Sequence, residues 1–157
     1  CLQAEKDLAK EFGESTIEAA GLANVVTVMK ERGNERQDID MAQKVMRLDD
    51  DSYMARMLKL QCASNGLFAA HRIGDNETAN QFLDEGQKYL TPETQPLGRA
   101  FFAMDRTLYL IDSSQVILAT RLVNETINSI WNERNPRVKT LLGISVALCN
   151  WGSPERH

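Results

Sequence analysis

The sequence predicts an all-α protein of about eight antiparallel helices, and three observations support this fold class. Apolar residues recur at helical spacing along most of the chain. Capping residues, glycines and prolines divide the apolar segments into lengths typical of helices. No segment alternates apolar and polar residues over the length of a strand, and no hairpin joins two such segments. The 157 residues suit one helical domain that spans residues 1–157.

The first three predicted helices occupy the first third of the chain. An amphipathic segment covers residues 2–12. The second helix begins at a capping box in residues 15–18, where a serine and a glutamate satisfy backbone N–H groups reciprocally, and it ends at Gly33. A short third helix covers residues 39–46.

The fourth predicted helix is the longest and runs from Ser52 to about residue 73. We expect Asp50 or Asp51 to cap its first turn, because a carboxylate there accepts free backbone N–H groups. Apolar residues cover a wide arc of this helix, which predicts a central position with neighbours on several sides. Gly74 is expected to end it.

The remaining four helices follow at short intervals. The fifth has a stripe from Ala79 to Leu90, and the segment TPETQP separates it from the sixth. The predicted buried residues of the sixth are Leu97, Phe101, Met104, Leu108 and Ile111. Short connections favour neighbouring helices that run antiparallel, either in a compact bundle or in a stack of helical hairpins.

The last two helices begin at recognisable start signals. Asp112 and Gln115 form a predicted capping pair for the seventh helix, which continues as far as Trp131. Asn135 followed by Pro136 predicts the start of the eighth helix, with an N-cap and a proline at the first helical position.

One segment, GLFAAHRIGDNETANQFLDEGQKYLTP, has the spacing of a helical repeat. Gly74 lies at the turn, Ala79 and Gly86 supply small contact residues with Leu83 between them, and Pro92 lies near the end. This pattern resembles one tetratricopeptide repeat, which is a helix pair of about 34 residues. The resemblance implies a hairpin stack that binds another protein in a concave groove.

The charge and hydropathy patterns exclude some classes of function. The formal net charge is −4, and no basic stripe stands out, so nucleic-acid binding is not expected. The longest apolar stretch, residues 141–149, is shorter than the roughly 20 residues that cross a bilayer. We therefore expect membrane attachment only through a lipid or a partner.

The sequence contains no recognisable catalytic or metal-binding motif, so we predict no catalytic residue, metal or cofactor. His71 lies near the end of the longest helix without a motif around it, and His157 is the last residue. The acidic run at residues 49–51 is best interpreted as helix capping. Trp131 is expected in the core, whereas Trp151, placed after the last helix, is the better candidate for an exposed contact.

Cys62 and Cys149 admit two interpretations. In an oxidising compartment they could form a disulfide, which would close a long loop and stabilise the fold by about 4–5 kcal/mol. Alternatively, both are small buried apolar residues. A bridge would require a compact bundle, because the fourth and eighth helices lie far apart in an open stack.

Cys1 resembles the lipid-bearing first residue of mature bacterial lipoproteins. That resemblance implies lipid attachment at Cys1 and, because Leu2 is not an aspartate, an outer-membrane location on the periplasmic side. The residues that follow predict a helix instead of the usual flexible tether.

These observations predict a non-enzymatic, protein-binding helical domain of the bacterial envelope. It would be an accessory or assembly lipoprotein, similar to pilotins, of a secretion or pilus system. Two alternatives remain, namely a cytoplasmic or effector interaction module with free cysteines, and a helical bundle that binds an apolar ligand. The expected partner is another protein, and the sequence does not assign the residues that bind it.

Overall fold

The computed structural model describes residues 33–130 and 132–152, and these residues form α-helices without any strand. The six helices are α1 (Glu35–Met46), α2 (Tyr53–Arg72), α3 (Asn76–Lys88), α4 (Pro96–Asp112), α5 (Val116–Ser129) and α6 (Pro136–Trp151). The all-α prediction is confirmed. The two helices predicted before Gly33 lie outside the described residues, so the count of eight stays a prediction.

Several of the predicted helix ends agree with the structure. Gly74 adopts a positive φ of 74° directly after the C-cap Ile73, a conformation that favours glycine. Asn135 caps α6, because its side chain accepts a hydrogen bond from the backbone N–H of Arg137, and Pro136 is the first helical residue.

The predicted caps of α2 and α5 were wrong. Ser52, and not an aspartate, caps α2 by accepting from the backbone N–H of Ala55 at 3.2 Å. Asp50 instead accepts from the backbone N–H of Ser52, so it orients the capping residue. Asp112 is the last residue of α4, and Gln115 occupies the N-cap of α5 without a side-chain hydrogen bond.

Two helices organise the packing of the described residues. α2 packs against α1, α3 and α4, while α4 packs against α2, α5 and α6. α5 also packs against α6. The central position predicted for the longest helix is therefore confirmed. The packed pairs place α2, α4 and α6 in one row, with α3 beside α2 and α5 beside α4.

The predicted buried stripe of α4 was wrong in detail. Phe101 is 45% exposed, whereas its neighbour Phe102 is fully buried. Because α4 has helices on several sides, its buried residues cover most of its circumference and include Arg99, Arg106 and Tyr109. A single apolar stripe describes a helix that packs on one side, and α4 does not do so.

Glycines allow aromatic rings to cross closely between helices. The ring of Phe82 on α3 covers Gly66 on α2, where a Cβ would lie 2.5 Å from the ring. The ring of Phe102 on α4 covers Gly86 on α3 in the same way, at 2.3 Å. Each pair requires glycine, and together they connect three successive helices of the core.

Candidate functional site

The two most exposed large apolar side chains of the described residues lie near the ends of α5 and α6. Ile117, in the first turn of α5, is 90% exposed, and Trp151, the last residue of α6, is 80% exposed. Such side chains are costly to leave in water and are enriched in protein-binding surfaces when they occur together. We therefore take this region as the candidate functional site.

A tight turn between α4 and α5 forms the base of the site. Ser114 adopts a positive φ of 61°, which is uncommon for a residue with a Cβ. The backbone N–H of Ser114 donates to the Ile111 carbonyl at 2.9 Å, and that of Gln115 donates to the Leu110 carbonyl at 2.7 Å. These bonds hold the first turn of α5 against the end of α4.

The end of α6 rests on this turn through Gly152. A Cβ at Gly152 would lie 2.8 Å from Cγ2 of Ile111 and 3.3 Å from Cγ2 of Val116. The backbone therefore approaches both side chains as closely as packing allows. Trp151 directly precedes Gly152, so its backbone adjoins this contact.

A cleft of about 680 Å³ lies between these elements. Most of its lining is apolar, and Arg121 is its charged residue. The lining residues are Ile111, Ser114, Gln115, Val116, Ile117, Leu118, Arg121 and Gly152. Arg121 is mostly exposed and lies 3.9 Å from Glu125, so its charge is accessible. We call these residues, together with Trp151, the α5–α6 cleft.

The outer face of α6 extends the apolar surface away from the cleft. Gly143, Ile144, Ala147 and Trp151 are all exposed, and they recur at helical spacing. The opposite face is also apolar, because Val138, Leu141 and Cys149 are buried. A helix that is apolar on two sides normally has neighbours on both.

The predicted exposure of Trp151 is confirmed, although it is part of α6 and does not follow it. Ile117 was not predicted as a surface residue. It lies one position off the stripe formed by Val116, Ala119 and Val123, and an isoleucine just off such a stripe was the available signal. Ile111, near the end of α4, also lines the cleft, and only the packing of the helices shows this.

His71 has partners that the sequence did not indicate. Its Nε2 lies 3.0 Å from Oδ2 of Asp112, and its ring meets the Tyr109 ring edge-on with centroids 5.6 Å apart. The Tyr109 hydroxyl donates to Oδ1 of Asn80 at 2.9 Å. Asp112 is distant in sequence, so the absence of a motif around His71 did not reveal this partner. This cluster connects α2, α3 and α4, and its groups bond to one another.

Cys62 and Cys149 are free thiols in the structure, and both are buried. Cys62 lies in α2 and Cys149 in α6, and both belong to the same apolar core cluster. Burial raises the pKa of the Cys62 thiol to about 12, so this thiol stays protonated at neutral pH. Cys1, Trp131 and His157, which the sequence analysis singled out, lie outside the described residues.

A metal-binding cluster and a membrane-spanning helix are both absent from the part of the chain that the structure describes. It holds no group of three or more His, Cys, Asp or Glu side chains that could bind a metal ion. None of its helices combines the length and apolarity needed to cross a membrane.

No family model, curated protein or solved structure matches this chain.

Proposed function

We propose that this protein is a non-enzymatic helical domain that binds another protein through the α5–α6 cleft. The observation that carries this proposal is an apolar cleft lined by the exposed Ile117 and by Gly152, the residue that follows the exposed Trp151. Covering two such side chains contributes roughly 25 cal/mol for each Å² of apolar surface removed from water. Tryptophan is also the residue type most enriched among those that dominate binding energy.

The occupant that best fits the cleft is an apolar segment of a partner that also carries an acidic residue. The apolar part would lie against Val116, Ile117 and Leu118. The acidic residue would meet Arg121, the charged residue of the lining. A charge pair at the rim of an apolar contact adds specificity and speeds association.

A stack of helical hairpins, similar to tetratricopeptide repeats, is the arrangement we propose for the whole domain. The row formed by α2, α4 and α6 supports it, because successive hairpins in a stack contact through their first helices. The small residues Ala79 and Gly86 support it further, since both are buried at helix contacts. In such a stack, the apolar outer face of α6 is where a following element would pack.

Site-specific photocrosslinking in the native host tests the proposed function. A photoreactive amino acid at position 117 should give one discrete crosslinked species. The matched control carries the same amino acid at Gln87, an exposed position on α3. Arg121→Glu should lower the yield from position 117 by about tenfold, which corresponds to roughly 1.4 kcal/mol, without changing the melting temperature.

Two outcomes would contradict the proposed function. One is a crosslinking yield at position 117 no higher than at position 87. The other is a crosslinked species that mass spectrometry identifies as a second copy of this chain, since the proposal commits to a different protein.

The envelope location and the lipid anchor are a separate part of the proposal. They rest on the resemblance of Cys1 to the lipid-bearing cysteine of bacterial lipoproteins. With that anchor, the proposed role is that of a pilotin-like accessory protein of a secretion or pilus system. Intact mass analysis of the protein from its native host tests this part. A mass increase that matches a diacylglyceryl group on Cys1 supports the anchor, and an unmodified cysteine or a longer chain contradicts it.

A further inference from the structure

Two arginines of α4 are buried in the interior of the protein. Arg99 is 9% exposed and Arg106 is 3% exposed. They are seven residues apart, which is about two helical turns and about 10 Å along the axis, so they lie on the same face of α4. Arginine is rarely buried without a paired negative charge.

Arg99 is held by neutral groups. Its Nη1 donates to Oγ of Ser129 at 3.1 Å, and its Nη2 donates to the carbonyl of Thr91. The Ser129 hydroxyl donates its own proton to the carbonyl of Thr126 at 2.8 Å. Its lone pairs therefore face the guanidinium, and no carboxylate takes part.

Arg106 is held in the same manner. Its Nη2 donates to the carbonyl of Leu122 at 3.1 Å and to Oγ1 of Thr126 at 3.2 Å. The Thr126 hydroxyl donates to the Leu122 carbonyl at 2.9 Å, so it too presents lone pairs to the arginine. The guanidinium also lies 5.8 Å from the centre of the Phe102 ring. Burial lowers the pKa of Arg106 to about 10, so the group is still charged at neutral pH.

Each arginine retains a donor without an acceptor. The buried Nε atoms of Arg99 and Arg106 make no hydrogen bond within the part of the chain that the structure describes. No carboxylate of the described residues lies within ion-pair distance of either guanidinium. A buried donor without a hydrogen-bond partner lowers the stability of the fold. Two charged guanidinium groups with such donors on one helix face therefore need an explanation.

Both side chains line one cavity of about 270 Å³ between α4, α5 and the segment after α3. Leu90 and Pro92 contribute apolar walls, and Thr126 and Ser129 contribute polar ones. The volume is below that of sites for whole drug-sized ligands, which start at about 300 Å³. It therefore suits one small anionic group with its waters.

We propose that this cavity binds the oxyanion of a carboxylate- or phosphate-bearing ligand, held by the guanidinium groups of Arg99 and Arg106. A planar guanidinium offers parallel N–H donors that match the oxygens of both groups, which makes arginine the preferred residue for such recognition. The anion would supply the negative charge that no carboxylate of the described residues places within ion-pair distance of these guanidinium groups. The site is separate from the α5–α6 cleft, so it does not depend on the proposed function.

Glu125 also lines the cavity, and its charge predicts how a substitution there should change anion affinity. Its carboxylate is mostly exposed and lies 3.9 Å from Arg121. A negative charge beside the cavity opposes the entry of an anion. Glu125→Gln should therefore strengthen anion binding.

The test is an NMR titration of the full chain with inorganic phosphate and, separately, with succinate, at constant ionic strength. The expected result is a saturable shift of the Nε–H signals of Arg99 and Arg106 with at least one of the two anions. The anion with the lower Kd identifies the phosphate or carboxylate class. Arg106→Met should raise the Kd by about tenfold or more, whereas Arg36→Met, which removes an exposed charge of the same sign on α1, should change it little.

Other outcomes would overturn the proposal. Shifts of the two Nε–H signals that are absent or do not saturate with either anion would do so. An equal loss of affinity in Arg106→Met and Arg36→Met would show that the anions respond only to overall charge. If Arg106→Met does not fold, the Nε–H titration of the unmodified chain decides alone.

Discussion

The ring of Phe102 lies directly over Gly86, so that a Cβ at Gly86 would approach two ring carbons to 2.3 Å. This contact joins α3 to α4 at a point where Phe102 is fully buried. Because the ring has helices on all sides, it cannot move aside without displacing other core side chains. The contact therefore makes glycine a requirement at position 86.

Gly86→Ala should destabilise the protein by about 1–3 kcal/mol, because it forces an extra methyl group into a filled core. Gly143→Ala is the matched control, since Gly143 lies within α6 and has open space around it. That control should stabilise the protein by about 0.5–1 kcal/mol through helix propensity alone. Urea unfolding of both variants measures the difference, and equal effects of the same sign would refute the contact.

Ser52→Ala should destabilise the protein by about 1 kcal/mol, because Ser52 supplies the side-chain cap of α2. Asp51→Ala should have a much smaller effect, since Asp51 is not the residue that caps the helix. Thermal or urea unfolding compares the two variants. A larger loss of stability in Asp51→Ala than in Ser52→Ala would indicate that Asp51 caps α2, as the sequence predicted.

The cap of α3 should show a pH dependence with a defined sign. Hydrogen bonds from Thr78, by its backbone N–H first and its side chain second, lower the pKa of Asp75 below the ordinary aspartate value. A depressed carboxylate pKa stabilises the fold above the unfolded-state value of about 4, and this contribution is lost as the pH falls through the lower folded-state value.

NMR titration of the carboxyl carbon should find the pKa of Asp75 below the ordinary aspartate value. Asp75→Asn should keep the cap, since asparagine is an equally good N-cap, and lose the acid-dependent part of stability. A pKa of Asp75 equal to the ordinary aspartate value would contradict this account.

The two buried cysteines should be slow to react in the folded protein. Cys62 combines burial with a pKa of about 12, so it offers almost no thiolate at pH 8. In a Cys1→Ser variant, an alkylating reagent should modify neither thiol quickly until denaturant unfolds the chain. Both thiols should then react without prior reduction, because they are free. Denatured protein that takes up label only after reduction would show that the pair is bridged.

The sequence was a good guide where local interactions determine the structure. Gly74 and Asn135 mark helix ends because turn geometry and capping depend on residues close in sequence. The wide apolar arc of α2 likewise reflects its own composition. Such features do not require knowledge of which helices meet.

The sequence was a poor guide where tertiary contacts decide. On α4 it favoured Phe101 over Phe102, because periodicity alone cannot tell which of two adjacent rings faces a glycine on another helix. Arg99 and Arg106 are of a residue type normally found at the surface. Only contact with α5 shows that they are buried and hydrogen-bonded to neutral groups.

The exposure of Trp151 has a practical consequence for experiments on this protein. An indole in water emits at longer wavelength than one that is enclosed, so Trp151 makes the chain its own fluorescent reporter. The chain has only one other tryptophan, Trp131, and Trp131→Phe would leave a single emitter. In that variant, a partner that covers the end of α6 would shift the emission towards the blue, and occupancy could be followed without any label.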